Sequence, residues 1–154
     1  MNVGIIVAAG KSERMGKHVD KAFLSLGKKP VLAYSLEAFE QCSDIDAIIL
    51  VVRKDRIAGA RGMAQMFGYS KVRWIVAGGS RRQDSVLNGM EKLSDLNGDV
   101  NVVAVHDGAR PCVTPELIAE TVRVAKRYGA GVAAAKVTDT IKLVERGYTV
   151  SQTV

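Results

Sequence analysis

Aromatic residues are scarce: Phe, Trp and Tyr make up 5% of the 154 residues. The lysines and arginines are scattered rather than blocked. Together these exclude a stacking platform for nucleic-acid bases, which needs rings interleaved with positive charge. Cysteine is nearly absent. Cys42 and Cys112 lie far apart and form neither a disulfide framework nor a metal-ligand spacing. Long apolar runs are missing too. Stretches such as residues 47–52 hold six residues, against the roughly 18 of a membrane span. The first ten residues lack a basic region and a long apolar core, so no signal peptide is read there. A cytoplasmic protein that binds neither nucleic acid nor membrane is expected. There are no repeats, no low-complexity tracts and no Pro- or Ser-rich linker.

What is present fits a folded domain. The chain is 47% hydrophobic and 25% charged, an ordinary globular balance. At this size a domain buries roughly two-thirds of its unfolded surface. Lys and Arg number 22 against 16 Asp and Glu, leaving a formal charge of +6. That excess suits a polyanionic partner. Without a nucleic-acid platform, a small phosphate-rich ligand is the better reading.

Short apolar, β-branched runs alternate with helical patterns. Residues 3–8, 47–52, 72–76, 101–105 and 131–137 read as five strands. Their continuous rather than alternating apolarity is what a parallel sheet covered on both faces requires. Between them, Pro30 opens a helix with Leu32, Leu36 and Phe39 on one face. Residues 54–66 form a second. Residues 80–93 form a third, with Val86, Met90 and Leu93 as its stripe and Ser80 with Gln83 at capping-box spacing. The fourth starts at Thr114 as N-cap, has Pro115 in its first turn and stops at Gly129. The fold class is α/β: a doubly wound, mostly parallel, Rossmann-like sheet with right-handed crossovers. Residues 139–144 and 148–154, around a turn at 145–147, read instead as a β-hairpin.

The first strand runs into Ala8-Ala9-Gly10-Lys11-Ser12-Glu13-Arg14-Met15-Gly16. A P-loop would need a glycine at position 5, which is Ile5; Gly4 is one residue out of register. The dinucleotide fingerprint G-x-G-x-x-G fails as well, because Ser12 stands where its second glycine belongs. What remains is a small-residue turn whose backbone N–H groups are open to an anion. Arg14 and Lys21 follow it. Lacking a ligand, the same residues make an ordinary tight βα turn.

The run Ala8-Ala9-Gly10, Arg14-Met15 and Lys21 resembles the signature loop of nucleotidyltransferases that activate sugars and polyols. Three further segments narrow the resemblance. Gly78-Gly79-Ser80-Arg81-Arg82-Gln83-Asp84-Ser85-Val86 is similar to a pyrimidine-binding segment. His106-Asp107-Gly108-Ala109-Arg110-Pro111 is similar to a metal-binding segment. Val137-Thr138-Asp139-Thr140-Ile141-Lys142 resembles the start of a protruding arm. In order and along the whole chain, these resemble the 2-C-methyl-D-erythritol 4-phosphate cytidylyltransferase family. The resemblance implies transfer of CMP from CTP to that polyol phosphate in non-mevalonate isoprenoid precursor synthesis. Ribitol-5-phosphate cytidylyltransferases and other sugar-phosphate nucleotidyltransferases are the alternatives. An alternative of another class is a catalytically incomplete nucleotide-binding fragment.

The resemblance also implies roles. Arg14 and Lys21 are the catalytic pair that stabilises the transition state on CTP's phosphates. Ala8, Ala9, Gly10, Gly79, Ser80 and Ser85 bind CTP; Ser80 serves either the base or only the helix cap. Asp107 holds Mg²⁺ or is a simple turn residue. Arg110 binds the substrate phosphate or pairs with Asp107. Thr140 contacts substrate from the arm or is an ordinary strand residue. His106 is read as structural. The chain departs from the family in having Asp20 and Ala22 around Lys21, and Ser80 where Asp is usual. Residues 1–137 are expected to form the nucleotide-binding domain and residues 138–154 the start of a dimerisation and substrate arm. A homodimer is implied, and a C-terminal remainder of the domain is expected beyond this chain.

Overall fold

The computed structural model describes residues 1–10, 20–96, 98–144 and 150–153. Arg14, expected to be catalytic, and the expected hairpin turn at 145–147 lie outside these. Strand β1 (Asn2–Ala8) leads to a 3-10 turn at Lys21–Phe23. Two short antiparallel strands follow, β2 (Ser25–Leu26) and β3 (Lys29–Pro30), which the sequence pattern does not signal. Next come α1 (Val31–Gln41), β4 (Ala47–Val52), α2 (Ile57–Met66) and β5 (Val72–Ala77). Then α3 (Arg82–Met90), β6 (Val102–Asp107) and α4 (Pro115–Tyr128) complete the alternation. A separate antiparallel pair, β7 (Lys142–Val144) and β8 (Val150–Thr153), forms the expected hairpin. No helix among the described residues is long and apolar enough to cross a membrane.

The central sheet is parallel, in the order β5-β4-β1-β6. Its two inner strands explain their own composition. Every residue of β4 is buried, and β1 is buried at all but Val7. Side chains alternate across the sheet. Ile6, Ile48, Leu50 and Val52 pack with Leu32, Leu36 and Phe39 of α1, Met63 of α2, and Ile118 and Val122 of α4. Val3, Ile5, Ile49 and Val51 pack on the other face, with Leu93 and Leu96 beside them. A helix layer on each face is the reason for continuous apolar strands. The chain builds outward from β1 to β4 to β5, then crosses back to place β6 on β1's other side. The order therefore reverses between β1 and β6.

Helix α4 begins as expected. Thr114 Oγ1 accepts the Leu117 N–H at 3.3 Å, Pro115 occupies the first turn, and Gly129 ends the helix at φ 86°. Three expectations need correction. Residues 131–137 form no strand: among the described residues they have no hydrogen-bonded neighbour in the sheet, and Val132 and Val137 are 89% and 71% exposed. Apolar composition alone does not make a strand without a ladder to join. The third helix begins at Arg82 and Arg81 is its N-cap, not Ser80. Asp84, rather than Gln83, closes the cap by accepting the Arg81 N–H at 3.1 Å. Its buried stripe is Ser85 and Gly89, not Val86, Met90 and Leu93. A Cβ on Gly89 would stand 2.8 Å from Ile5 Cγ2 and 3.1 Å from Val51 Cγ2. The helix lies too close to the sheet for anything but small residues beneath it.

Candidate functional site

In an open parallel sheet, ligands bind beyond the C-terminal ends of the strands, where the strand order reverses. Here that place lies between Ala8, which ends β1, and Asp107, which ends β6. Val7 and Asp107 are register partners, and Gly108 N–H donates to Val7 O at 2.8 Å. The expected residues Ala8, Ala9, Gly10 and Asp107 thus share one crevice. Gly79 and Ser85 adjoin it from the next loop, whereas Ser80 is exposed and turned to Asp84. Gly78 N–H donates to Val52 O at 2.8 Å, extending the ladder by one residue past β5. A Cβ on Gly78 would sit 2.3 Å from Ala9 Cβ and 2.7 Å from Ser85 Oγ. Only glycine lets the two loops meet this closely.

Ser85 is buried and doubly engaged. Its Oγ accepts the Gly79 N–H at 3.1 Å and donates to Arg81 O at 3.2 Å. A hydroxyl has one donor and two lone pairs. The donor and one lone pair are used, so Ser85 can only accept once more. Ser80 is exposed, and its Oγ donates to Asp84 Oδ2 at 2.9 Å. Asp84 also meets the Arg81 guanidinium at 2.9 Å. That guanidinium first, then the Ser80 hydroxyl, lower the Asp84 carboxyl to about 2.

Asp107 stands between two cations. Its Oδ1 accepts from Arg82 Nε at 2.9 Å and lies 2.9 Å from Arg82 Nη2 as an ion pair, and its Oδ2 lies 3.1 Å from Arg110 Nε. Of the two readings of Arg110, pairing with Asp107 is the one this geometry displays. The loop itself is anchored from below. Buried Ser35 of α1 donates toward Gly108 O at 3.3 Å and Arg110 O at 3.2 Å. His106 Nε2 lies 3.2 Å from Arg110 O, and its ring packs 5.4 Å from the Phe39 ring. Burial pushes His106 below the ordinary imidazole range, against the smaller opposing pull of the Arg110 carbonyl. Sequence reasoning missed Arg82 and Ser35. Arg82 lies inside the quoted pyrimidine segment, and its cation at a helix start is against the helix dipole. That anomaly is the signal that could have found it. Ser35, in the middle of an apolar helix, left none.

Lys21 opens the 3-10 turn Lys21–Phe23, which packs against α1. Its neighbour Asp20 does not stand against it as an open charge. Asp20 is buried, with Arg56 Nε at 3.3 Å and Arg53 Nη2 at 3.8 Å from Oδ2. Arg56 in turn lies 5.3 Å from the Phe23 ring centroid. Thr140 lies in an exposed segment just before β7, and no hydrogen bond or ion pair among the described residues ties it to the crevice. No three His, Cys, Asp or Glu residues gather into a metal cage among the described residues.

A parallel sheet covered on both faces, with its strand order reversing between β1 and β6 and two glycine-bearing loops meeting beyond the strand ends, puts the chain in the doubly wound α/β class. A family model described as IspD, 2-C-methyl-D-erythritol 4-phosphate cytidylyltransferase, matches residues 2–154. The chain belongs to that family. It is 44% identical over 150 residues to the 2-C-methyl-D-erythritol 4-phosphate cytidylyltransferase of Alkaliphilus metalliredigens, covering 97% of this chain and 61% of that one. It is 40% identical over 145 residues to the enzyme of that name from Clostridium tetani, covering 94% and 57%. The crystal structure of 4-diphosphocytidyl-2C-methyl-D-erythritol synthase from Anaerococcus prevotii superposes with a TM-score of 0.80 at 29% identity, covering 99% of this chain and 63% of that one. The chain therefore spans about three-fifths of the length of these relatives.

Proposed function

We propose that this chain carries the CTP-handling part of a 2-C-methyl-D-erythritol 4-phosphate cytidylyltransferase. Family membership supports the reaction class, and the meeting of three expected loops at the sheet's reversal point supports the site. An oxygen of the polyol phosphate attacks the α-phosphorus of CTP. The α–β bridging bond breaks, pyrophosphate leaves, and CDP-methylerythritol forms. The attacking oxygen is already anionic, so no strong base is needed. The difficulty is charge, and positioned donors are the main remedy.

In this reading the backbone of Ala8, Ala9 and Gly10 holds the triphosphate, with Arg14 and Lys21 supplying cations to it. Gly79 and Ser80 flank the base. Ser85, able only to accept, suits the amino group of cytosine and not the oxo group of uracil. Thr140, from the arm, faces the polyol phosphate, and Arg110, paired with Asp107 in the free chain, does so once released. Asp107 fits Mg²⁺, a hard cation that commonly takes one or two carboxylates and fills its shell with phosphate and water. Bound there, the ion would offset phosphate charge and align the triphosphate. We also place the protein in the cytoplasm and read its hairpin as an arm that clasps a second copy. The test is pyrophosphate release from CTP with methylerythritol 4-phosphate, ribitol 5-phosphate or no acceptor, with UTP competing. Release only with methylerythritol phosphate and CTP is expected. Release with ribitol phosphate alone, or UTP competing equally, would overturn the substrate or base assignment respectively.

A further inference from the structure

Both oxygens of the Asp107 carboxylate are covered by guanidiniums. Arg82 holds Oδ1 through two nitrogens at 2.9 Å, and Arg110 holds Oδ2 at 3.1 Å. The carboxylate side chain is 30% exposed, whereas Arg82 and Arg110 are 61% and 76% exposed. The carboxylate is thus held at the end of β6, and the two cations stand on its solvent side. Arg82 also begins α3, where a helix disfavours positive charge. Its neighbour Arg81 meets the same difficulty and is answered within the helix by Asp84. Among the described residues Arg82 is answered from outside its helix, by Asp107 at the end of β6, so the pairing joins the second loop to that strand.

We propose that Arg82 and Arg110 form a clamp that keeps Asp107 closed to divalent metal until nucleotide phosphates draw the guanidiniums off. This rests on reading Asp107 as the metal-holding carboxylate. A small divalent ion must come within about 2.1 Å of a carboxylate oxygen. Two cations already at hydrogen-bond distance oppose it by charge and by occupancy. A polyphosphate changes this balance, because it offers guanidiniums bidentate partners of higher charge than one carboxylate. Arg82 and Arg110 then move from Asp107 to phosphate, and the carboxylate opens as the nucleotide's own metal arrives. Metal and nucleotide enter together, and the free protein does not hold metal by itself. Arg82 is in this sense a positioning residue: it acts on the reaction through Asp107.

The experiment is Mn²⁺ binding to the intact chain, followed by the electron paramagnetic resonance of free Mn²⁺ without nucleotide. Water-proton relaxation then reports protein-bound Mn²⁺ with CTP present. Wild type is expected to bind Mn²⁺ weakly alone. Arg82→Gln is expected to tighten that binding about twofold to fivefold, the scale of one exposed ion pair. Arg82→Lys, which keeps the charge, is expected to stay near wild type. Wild type that binds Mn²⁺ as tightly without CTP as with it would overturn the clamp. So would an Arg82→Gln variant that is folded by circular dichroism but binds no better than wild type. Asp107→Asn separates the two readings. If it removes protein-bound Mn²⁺–CTP while Arg82→Gln changes nothing, only the clamp falls. If it leaves Mn²⁺–CTP binding intact, the metal reading of Asp107 falls and the clamp with it.

Discussion

Lys21 is a cation in a short turn packed on α1, outside both apolar clusters. Its removal therefore should separate chemistry from folding. Lys21→Ala is expected to cut turnover by about 3–4 kcal/mol of transition-state stabilisation, the usual loss for a donor aimed at developing charge. Far-ultraviolet circular dichroism and the melting temperature should stay near wild type. Near-normal turnover would refute the role. Asp84 behaves differently, because its carboxyl lies well below the ordinary carboxylate range. A depressed acid contributes stability that is present above its unfolded value and lost as pH falls through its folded one. The start of α3 should therefore hold down to about pH 4 and loosen between there and about pH 2. Amide exchange at Arg81, whose N–H Asp84 accepts, is the probe. Protection unchanged at pH 2 would count against the capping role. The site was partly legible at this scale. Small residues after a strand and a lone Asp after another are chemical signals. Arg82 and Ser35 were not legible as partners of the Asp107 loop, because their contacts join residues separated by 25 and by more than 70 positions.

Two helical glycines make opposite cases at the scale of the element. Gly59 lies in α2 with open space where a Cβ would go, and Gly89 lies in α3 against Ile5 and Val51. Alanine is favoured over glycine in a helix by about 1 kcal/mol. Gly59→Ala is expected to raise stability by about that amount. Gly89→Ala adds a methyl where none fits, and overpacking costs about 1–3 kcal/mol. A net loss is expected, read in parallel urea titrations. If both variants gain, α3 does not rest on the sheet as closely as described. The same glycine shows why the third helix was misread along its length. Periodicity looks for large apolar residues at the interface, and here the interface selects small ones. Where packing is ordinary, as at Leu32, Leu36 and Phe39 of α1, the stripe read from sequence is the buried one. The segment 131–137 failed for the complementary reason. Its apolar composition says nothing about whether a hydrogen-bonding neighbour exists.

For the molecule as a whole, Tyr69 ties the loop after α2 to the backbone of α1. Its hydroxyl donates to Ala33 O at 2.9 Å in the core. Burial first, then the nearby Glu37 and Glu40, push its phenol up to about 12. A raised acid contributes stability that is complete below its unfolded value and lost as pH rises through its folded one. Stability is therefore expected to decline between about pH 10 and about pH 12. Tyr69→Phe should flatten that decline and lower neutral stability by about 1 kcal/mol, the net worth of one hydrogen bond. Chemical denaturation across that pH range is the check, and an identical slope in the variant would refute it. The doubly wound class was legible because continuous apolar strands demand two covering layers. The strand order was not, since nothing local to β6 says that it returns to β1.

That return has a consequence for the chain as it is made. Asn2 pairs with Val102, so one side of the first strand waits for almost the last of the sheet. Translation proceeds at about 5–20 residues per second, so β1, β4 and β5 emerge seconds before β6. During that interval a strand as apolar as β1 shows an unpaired edge, a template for unwanted pairing. Chains halted after Leu96 are expected to aggregate, measured by light scattering, and to be rescued when synthesis continues through Asp107. Soluble, monomeric halted chains would show the edge to be shielded. The crevice between β1 and β6 is therefore younger than the three strands that precede it: it exists only once nascent-chain sorting between folding and aggregation has already been decided.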